Sequence, residues 1–249
     1  MNALKNCRHL MPVLLALAPA VLWIPSAQAA AAFAGSAALT FTVNRIVNLD
    51  NPGDLTALTV TGSFEQASPP DYSVTLTGDG SVSDDNPVAG PVSVGSGVFN
   101  HTFAVSGSVG NGSVNSSHLG LFGLSFENTG SDGYAIGVTL DYLLDAAILG
   151  QYAAGAVDLD FYNEGFSFIG FDHASANDQH TGSSGEFSFV LNPGEFEALY
   201  ADVRITGNLE ASAVPLPAGL WLLLAGLSAV AVVGRRNGSR PETHPVPNA

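Results

Sequence analysis

Apolar and polar residues alternate along many short runs of this chain, and this period of two limits its fold more than any other feature. Successive side chains of a β-strand point to opposite faces, so the alternation predicts strands with one buried face each. The apolar positions of the clearest runs are Leu39, Phe41 and Val43; Tyr72, Val74 and Leu76; Phe122, Leu124 and Phe126; Val157, Leu159 and Phe161; Phe187, Phe189 and Leu191; and Leu199, Ala201, Val203 and Ile205. The domain is therefore predicted to consist of strands.

Clusters of Gly, Pro, Asn and Asp separate these runs and predict turns. They stand at residues 51–53, 68–71, 84–87, 111–112, 132–133 and 192–194. Many short strands joined by frequent turns favour antiparallel sheets over alternating strands and helices. We therefore expect residues 30–213 to form one all-β domain, an antiparallel β-sandwich of jelly-roll-like or immunoglobulin-like type.

One stretch, residues 134–148, fits both the period of a strand and the period of a helix. Its apolar residues alternate as in a strand, whereas Leu140, Leu143, Leu144 and Ala147 also form a helical stripe. We predict a strand through Tyr142, long enough to lie in the middle of a sheet, and a helical turn over residues 143–149.

An apolar segment near the C-terminus predicts a membrane-spanning helix. Residues 214–233 contain no charged residue, and a helix of this length measures roughly 30 Å, the thickness of the hydrocarbon core of a bilayer. Arg235 and Arg236 follow directly, and positive residues hold that end of a helix in the cytoplasm. Residues 30–213 should therefore face outward, with residues 237–249 as a short cytoplasmic tail.

The order of residues in this segment resembles a known sorting signal. The motif Val214, Pro215, Leu216, Pro217 and Ala218, the apolar helix and the Arg pair are similar to the PEP-CTERM signal, in its VPLPA variant, of Gram-negative bacteria that make exopolysaccharide. The resemblance covers residues 214–236 and implies that a membrane-embedded exosortase removes the helix. Leu216 replaces the Glu of the commoner motif, and the tail beyond Arg236 extends past the usual end. An uncut single-span anchor is the alternative.

The N-terminus carries a second export signal. Basic residues precede an apolar run, and Ala27, Ala29 and Ala30 mark a signal-peptidase site, so residues 1–29 are expected to be removed. Cys7, the only cysteine, precedes the apolar run, a position that excludes a lipid anchor. The mature chain therefore has no disulfide and no thiolate nucleophile.

Charge is distributed unevenly. Residues 30–213 hold 21 of the 22 acidic residues but only two basic ones, Arg45 and Arg204, a formal charge of −19. Nucleic acid and anionic lipid surfaces bind clustered Lys and Arg, so we exclude both as partners of the domain.

Two polar clusters are candidate metal sites. Asp172, His173, Asp178 and His180 supply imidazoles and carboxylates that suit zinc, although their spacing matches no established motif. Asp79, Asp84 and Asp85, and a second group of Asp50, Asn51 and Asp54, supply the oxygen ligands that calcium prefers. The alternative is that these Asp and Asn residues hydrogen-bond their own backbone in turns. We expect no cofactor, with calcium as the one ion kept open.

Catalysis and sugar binding are the remaining functions to weigh. Asp158 and Asp160 share a strand face, as paired carboxylates of glycoside hydrolases do, but no feature separates their pKa values and no serine nucleophile motif is present. His101 lies on an apolar face, where a core position is expected. Tyr152, Tyr162 and Tyr200 fall on solvent-facing positions that can stack sugar rings, although Trp is absent from residues 30–213.

These features predict a non-enzymatic protein that an exosortase sorts to the cell surface or into a biofilm matrix, with a structural or adhesive role. We expect it to be anchored in the inner membrane by its C-terminal helix before processing, with the exosortase-like processing enzyme as its partner and extracellular polysaccharide as a candidate second partner. The alternatives are a carbohydrate-binding module, a calcium-dependent adhesin and a polysaccharide hydrolase.

Overall fold

A computed structural model of the chain describes residues 26–84, 86, 89–94, 97–165, 167–215 and 225–228. Residues 28–212 form one compact unit. Residues 1–25 of the predicted signal peptide, Asp85, and Leu216, Pro217, Ala218, Arg235 and Arg236 of the predicted sorting segment lie outside the described residues. In the part of the chain that is described, no helix has the length and hydropathy to cross a bilayer.

The described residues form fourteen strands. In chain order they are β1 (Ser26–Ala29), β2 (Ala31–Asn48), β3 (Leu58–Gln66), β4 (Ser73–Gly78), β5 (Ser81–Ser83), β6 (Ala89–Ser93), β7 (Val98–Val109), β8 (Gly112–Asn128), β9 (Tyr134–Leu149), β10 (Ala153–Asn163), β11 (Phe168–Ser175), β12 (Asp178–Leu191), β13 (Phe196–Glu210) and β14 (Ser212–Pro215). Strands β1 and β14 pair as a separate two-stranded sheet.

The other strands form two antiparallel sheets, which confirms the prediction of an all-β antiparallel domain. The five-stranded sheet has the order β12-β9-β2-β7-β5, and the seven-stranded sheet has the order β11-β10-β13-β8-β3-β6, with β4 also paired to β8. The order differs from that of an immunoglobulin constant domain, whose first two strands are neighbours in one sheet. Here β2 pairs with β7 and β9, and β3 lies in the other sheet.

Strand β9 corrects one expectation. The predicted helical turn over residues 143–149 is wrong, because β9 continues to Leu149. It pairs with β2 as far as Leu149 and with β12 as far as Ala146, so these neighbours hold the backbone extended. Leu144 and Ala146 point into the core from the strand. The predicted place of β9 in the middle of a sheet is confirmed.

The predicted inward faces of the longer strands form the core between the two sheets. Phe122, Leu124 and Phe126 of β8 are buried, as are the inward residues of β10 and β13. Leu76 is an exception, with 45% of its surface exposed. Its strand, β4, pairs only with β8 among the described strands, so its side chains have fewer neighbours to cover them.

Phenylalanine rings of the five-stranded sheet lie directly over glycines. A Cβ added to Gly207 of the opposite sheet would lie 2.2 Å from the Phe33 ring, and one added to Gly62 would lie 2.3 Å from Phe99. Phe103 covers Gly120 in the same way, at 2.8 Å. Each ring thus occupies the volume that a side chain of the facing strand would need.

We expect Gly207→Ala to lower the free energy of unfolding by about 1–3 kcal/mol, because the new methyl group would displace the Phe33 ring from a packed core. Urea unfolding followed by circular dichroism measures the change. Gly170→Ala is the matched control, since a Cβ at Gly170, also in the seven-stranded sheet, meets nothing within 4 Å. Equal stability of the two variants would show that the ring does not depend on the glycine.

Candidate functional site

The outer face of the seven-stranded sheet brings together residues that are distant in sequence. Tyr162 of β10 lies opposite Tyr200 of β13, Tyr200 lies opposite Gly123 of β8, and Gly123 lies opposite Ser63 of β3. Neighbouring strands are about 4.8 Å apart, so these positions form one continuous row across four strands.

An acidic row runs beside the first. Asp160 of β10 lies opposite Asp202 of β13, and the row continues through Leu121 of β8 to Glu65 of β3. Like charges directly opposite each other on a sheet are destabilising. The Asp160 and Asp202 pair is therefore kept at some cost to stability.

The two tyrosines of the first row form a stacked, hydrogen-bonded pair. Their ring centroids are 5.4 Å apart with 29° between the planes. The Tyr162 hydroxyl donates to Asp202 Oδ1 at 3.1 Å, and the Tyr200 hydroxyl donates to Glu164 Oε2 at 2.8 Å. Burial and the adjacent carboxylates raise the pKa of each tyrosine to about 12. Both hydroxyls therefore remain protonated donors at neutral pH.

Gly123 leaves an open space beside this pair. A Cβ there would be 3.1 Å from Ser63 Oγ and 3.9 Å from the Tyr200 ring, so the ring and the serine border the space. We call this space the tyrosine groove. It has a volume of about 300 Å³ and is lined by Ser63, Glu65, Leu121, Phe122, Gly123, Tyr162, Glu164, Tyr200 and Asp202.

The groove is acidic. Among the described residues that line it, three carry carboxylates and none is basic. Burial raises the pKa of Asp202; the hydrogen bond from Tyr162 opposes this shift, and the charge of Asp160 adds to it. The groove thus combines an aromatic wall with three carboxylates.

The predicted sugar-stacking tyrosines separate into two places. Tyr162 and Tyr200 meet in the groove, whereas Tyr152 lies in the turn before β10, at the other end of that strand from Tyr162, and is 52% exposed. Asp202 and Glu65 were missed by sequence reasoning. The alternation of Ala201 and Val203 indicates that Asp202 faces outward, but only the strand register places it beside Asp160 and Tyr162.

A second polar cluster, the Asp172 cluster, ties the edges of the two sheets together. Asp172 of β11 accepts hydrogen bonds from the Tyr142 hydroxyl of β9 at 2.6 Å and pairs with His180 Nδ1 of β12 at 2.8 Å. Burial by itself would raise the pKa of Asp172, but the hydrogen bonds from Tyr142, the His173 backbone and His180 outweigh it and hold the pKa low. The carboxylate therefore acts as a clamp between β9, β11 and β12.

The two histidines of the predicted zinc site do not share one partner. His173 pairs with Asp158 across the neighbouring strand at 2.6 Å, whereas His180 pairs with Asp172. Asp178 is exposed at the start of β12. Throughout the described ranges no group of three or more His, Cys, Asp or Glu side chains is arranged to hold a metal ion.

The predicted calcium ligands make contacts within the chain. Asp79 accepts hydrogen bonds from the backbone N–H groups of Gly110 and Asn111 at 2.8 and 2.7 Å, so it caps the turn between β7 and β8. Asp54 accepts from Thr56 N, and Asp84 accepts from Gln66 Nε2. Only the Asp54 contact is the local turn bond named as the alternative to calcium, whereas Asp79 and Asp84 accept from residues distant in sequence.

His118 has an acidic neighbour that the sequence does not reveal. Its Nδ1 lies 3.3 Å from Asp84 Oδ2, and its side chain is fully buried. Burial lowers the pKa of His118, and the attraction of Asp84 only partly offsets this effect. His101 stacks on Phe64 at 4.2 Å between ring centroids, in the apolar surroundings expected for it. Both imidazoles are therefore parts of the packed interior.

No protein-family model matches this chain, and no curated protein or solved structure is significantly similar to it.

Asp172→Asn tests the clamp. We expect it to lower the free energy of unfolding at pH 7 by about 1–3 kcal/mol, because an amide has no charge and only one acceptor oxygen, so at this partly buried site it cannot accept from both Tyr142 and His180. The depressed pKa of Asp172 means that its contribution is present above the ordinary value of 3.8 and is lost as the pH falls through the lower folded-state value. Urea unfolding should therefore show the variant and the parent converging below about pH 3.8. Asp178→Asn, a control at an exposed site on β12, should change stability little at either pH.

Proposed function

We propose that this chain is an exported, non-enzymatic surface or matrix protein whose sandwich binds extracellular polysaccharide in the tyrosine groove. The observation that carries the proposal is the stacked pair of Tyr162 and Tyr200 beside the space above Gly123. An aromatic wall and a gap one residue wide match the flat, partly apolar face of a sugar ring.

The polar lining also suits a sugar. Both tyrosine hydroxyls are fixed as donors to carboxylates, and each carboxylate keeps further lone pairs for the hydroxyl groups of a bound sugar. Ser63 adds a hydroxyl at the opposite side of the space. The volume of about 300 Å³ lies at the lower end for small-ligand sites, so a short segment of a polymer is the natural ligand.

Binding is favoured over hydrolysis at this site. Asp160 and Asp202 resemble the carboxylate pair of a hydrolase more than any other pair in the groove region, and burial raises the pKa of Asp202. However, the pair lies on the outer face of a sheet, where water is not excluded from a reacting bond. We therefore keep polysaccharide hydrolysis as the second candidate.

The sorting step is proposed from the sequence motif. The motif begins within β14 (Ser212–Pro215), directly after the last strand of the sandwich in sequence. An extended segment is the shape that a protease active site accepts, and prolines favour it. We propose that an exosortase-like enzyme recognises Val214 to Ala218 and releases the sandwich to the cell surface.

Polysaccharide binding is tested with the sandwich, residues 30–213, and the exopolysaccharide of its own host. We expect Tyr200→Ala to weaken binding by roughly tenfold, about 1.4 kcal/mol, because the aromatic wall is lost. Affinity electrophoresis in gels containing the polysaccharide measures the change. Tyr152→Ala removes a more exposed tyrosine outside the groove, and this variant should be retarded in the gel as much as the parent. Absence of retardation in the parent, or equal loss in both variants, would contradict the proposal.

Sorting is tested by the intact mass of the protein recovered from the surface and medium of its host. We expect a C-terminus near Val214, and full retention of the C-terminal segment when the processing enzyme is deleted or when Pro215 and Pro217 are both changed to Ala. Changing Pro245 and Pro247 of the tail to Ala is the matched control, which should be processed normally. Full-length protein in the membrane under all conditions would identify an ordinary anchored protein.

A further inference from the structure

We propose that the tyrosine groove selects sugars that carry a free, positively charged amino group, so that its ligand is a polymer of deacetylated amino sugars. This inference rests on the proposed function, since the groove and its stacked tyrosines are the site. The charges around the groove determine only which sugar it holds.

The carboxylates surround the place where a sugar ring would lie. Glu65, Glu164 and Asp202 line the groove, and Asp160 stands opposite Asp202 in the register of β10 and β13. Three carboxylates thus line one space about the size of a sugar ring, and a fourth, Asp160, stands beside it. An ammonium group bound there gains attraction from all of them, whereas a uronic acid meets repulsion.

The nearest basic residue does not neutralise the cluster. Arg204 follows Asp202 by two positions on the same face of β13, and its Nη1 donates to Ser117 Oγ at 3.1 Å, toward β8. Its cross-strand partner on β10 is Asp158 rather than Asp160. The guanidinium therefore belongs to the next row of the sheet. Its attraction lowers the pKa of Asp202 but does not outweigh burial and the charge of Asp160, so a cationic ligand still meets negative charge at the groove.

The tyrosines add a preference for cations. A ring face attracts an ammonium group placed within about 6 Å of its centroid. The Tyr200 ring borders the empty space over Gly123, and its hydroxyl is held by Glu164. An amino sugar can therefore place its ring against the aromatic wall and its ammonium group among the carboxylates.

The experiment compares oligosaccharides of one length that differ only in charge. The folded sandwich, residues 30–213, is titrated by calorimetry with glucosamine hexamer, N-acetylglucosamine hexamer and galacturonic acid hexamer. We expect the free-amine hexamer to bind at least tenfold more tightly than the acetylated one, and the acidic hexamer not to bind. The preference should shrink as salt is raised, because the charges are partly exposed.

Variants separate the groove from the general negative charge of the domain. Asp202→Asn together with Glu65→Gln should weaken binding of the free-amine hexamer much more than binding of the acetylated hexamer, so that most of the preference for the free amine is lost. Asp141→Asn together with Asp145→Asn removes the same charge from the outer face of the five-stranded sheet and should preserve the preference. Equal loss in both double variants would show attraction to the whole surface and overturn the inference.

The remaining outcomes distinguish failure of the preference for amines from failure of the proposed polysaccharide binding. If the acetylated hexamer binds as tightly as the free amine and Tyr200→Ala abolishes both, the groove binds sugars and the preference for amines is wrong. If the domain binds none of the hexamers and also fails to bind the host polysaccharide, both proposals are wrong. Unchanged melting temperatures of the variants confirm that each compared protein is folded.

Discussion

The packing of phenylalanine rings over glycines is the contact on which the rest of the molecule depends. Phe33, Phe99 and Phe103 extend from the five-stranded sheet into volumes that Gly207, Gly62 and Gly120 leave free. Interiors are packed at crystal-like density, so a side chain in place of any of these glycines would push the sheets apart. The ring and glycine pairs therefore fix both the distance between the sheets and their relative position.

The inner packing also determines the outer surface. Because side chains alternate along a strand, the buried positions of Ala201 and Val203 place Tyr200 and Asp202 on the solvent side of β13. A slip of one residue in register would exchange the two sets. The tyrosine groove thus lies on the outer face of strands whose inner faces form the core, and the packing of the core holds these strands in position.

Polar residues of the sandwich fall into two groups. Asp79, Asp172 and the pair of His118 and Asp84 satisfy partners within the chain, at turns, at sheet edges or in the interior. The carboxylates of the tyrosine groove differ, because Glu65, Glu164 and Asp202 line one open space and Asp160 stands opposite Asp202. The carboxylates of the first group therefore stabilise the fold, and we propose that those of the second group bind a ligand.

The sequence by itself determined the fold class and most of the core, because a period of two reports directly which side chains a strand buries. It also indicated that Tyr162 and Tyr200 face solvent. It could not determine that they touch, nor that Asp202 joins Asp160 beside them or that Asp84 meets His118. These residues are between 34 and 42 positions apart, and their meeting follows from strand order and register. Local alternation contains no information about which strand becomes a neighbour. The same limit explains β9, because pairing with β2, and with β12 as far as Ala146, kept residues 143–149 extended despite their helical stripe.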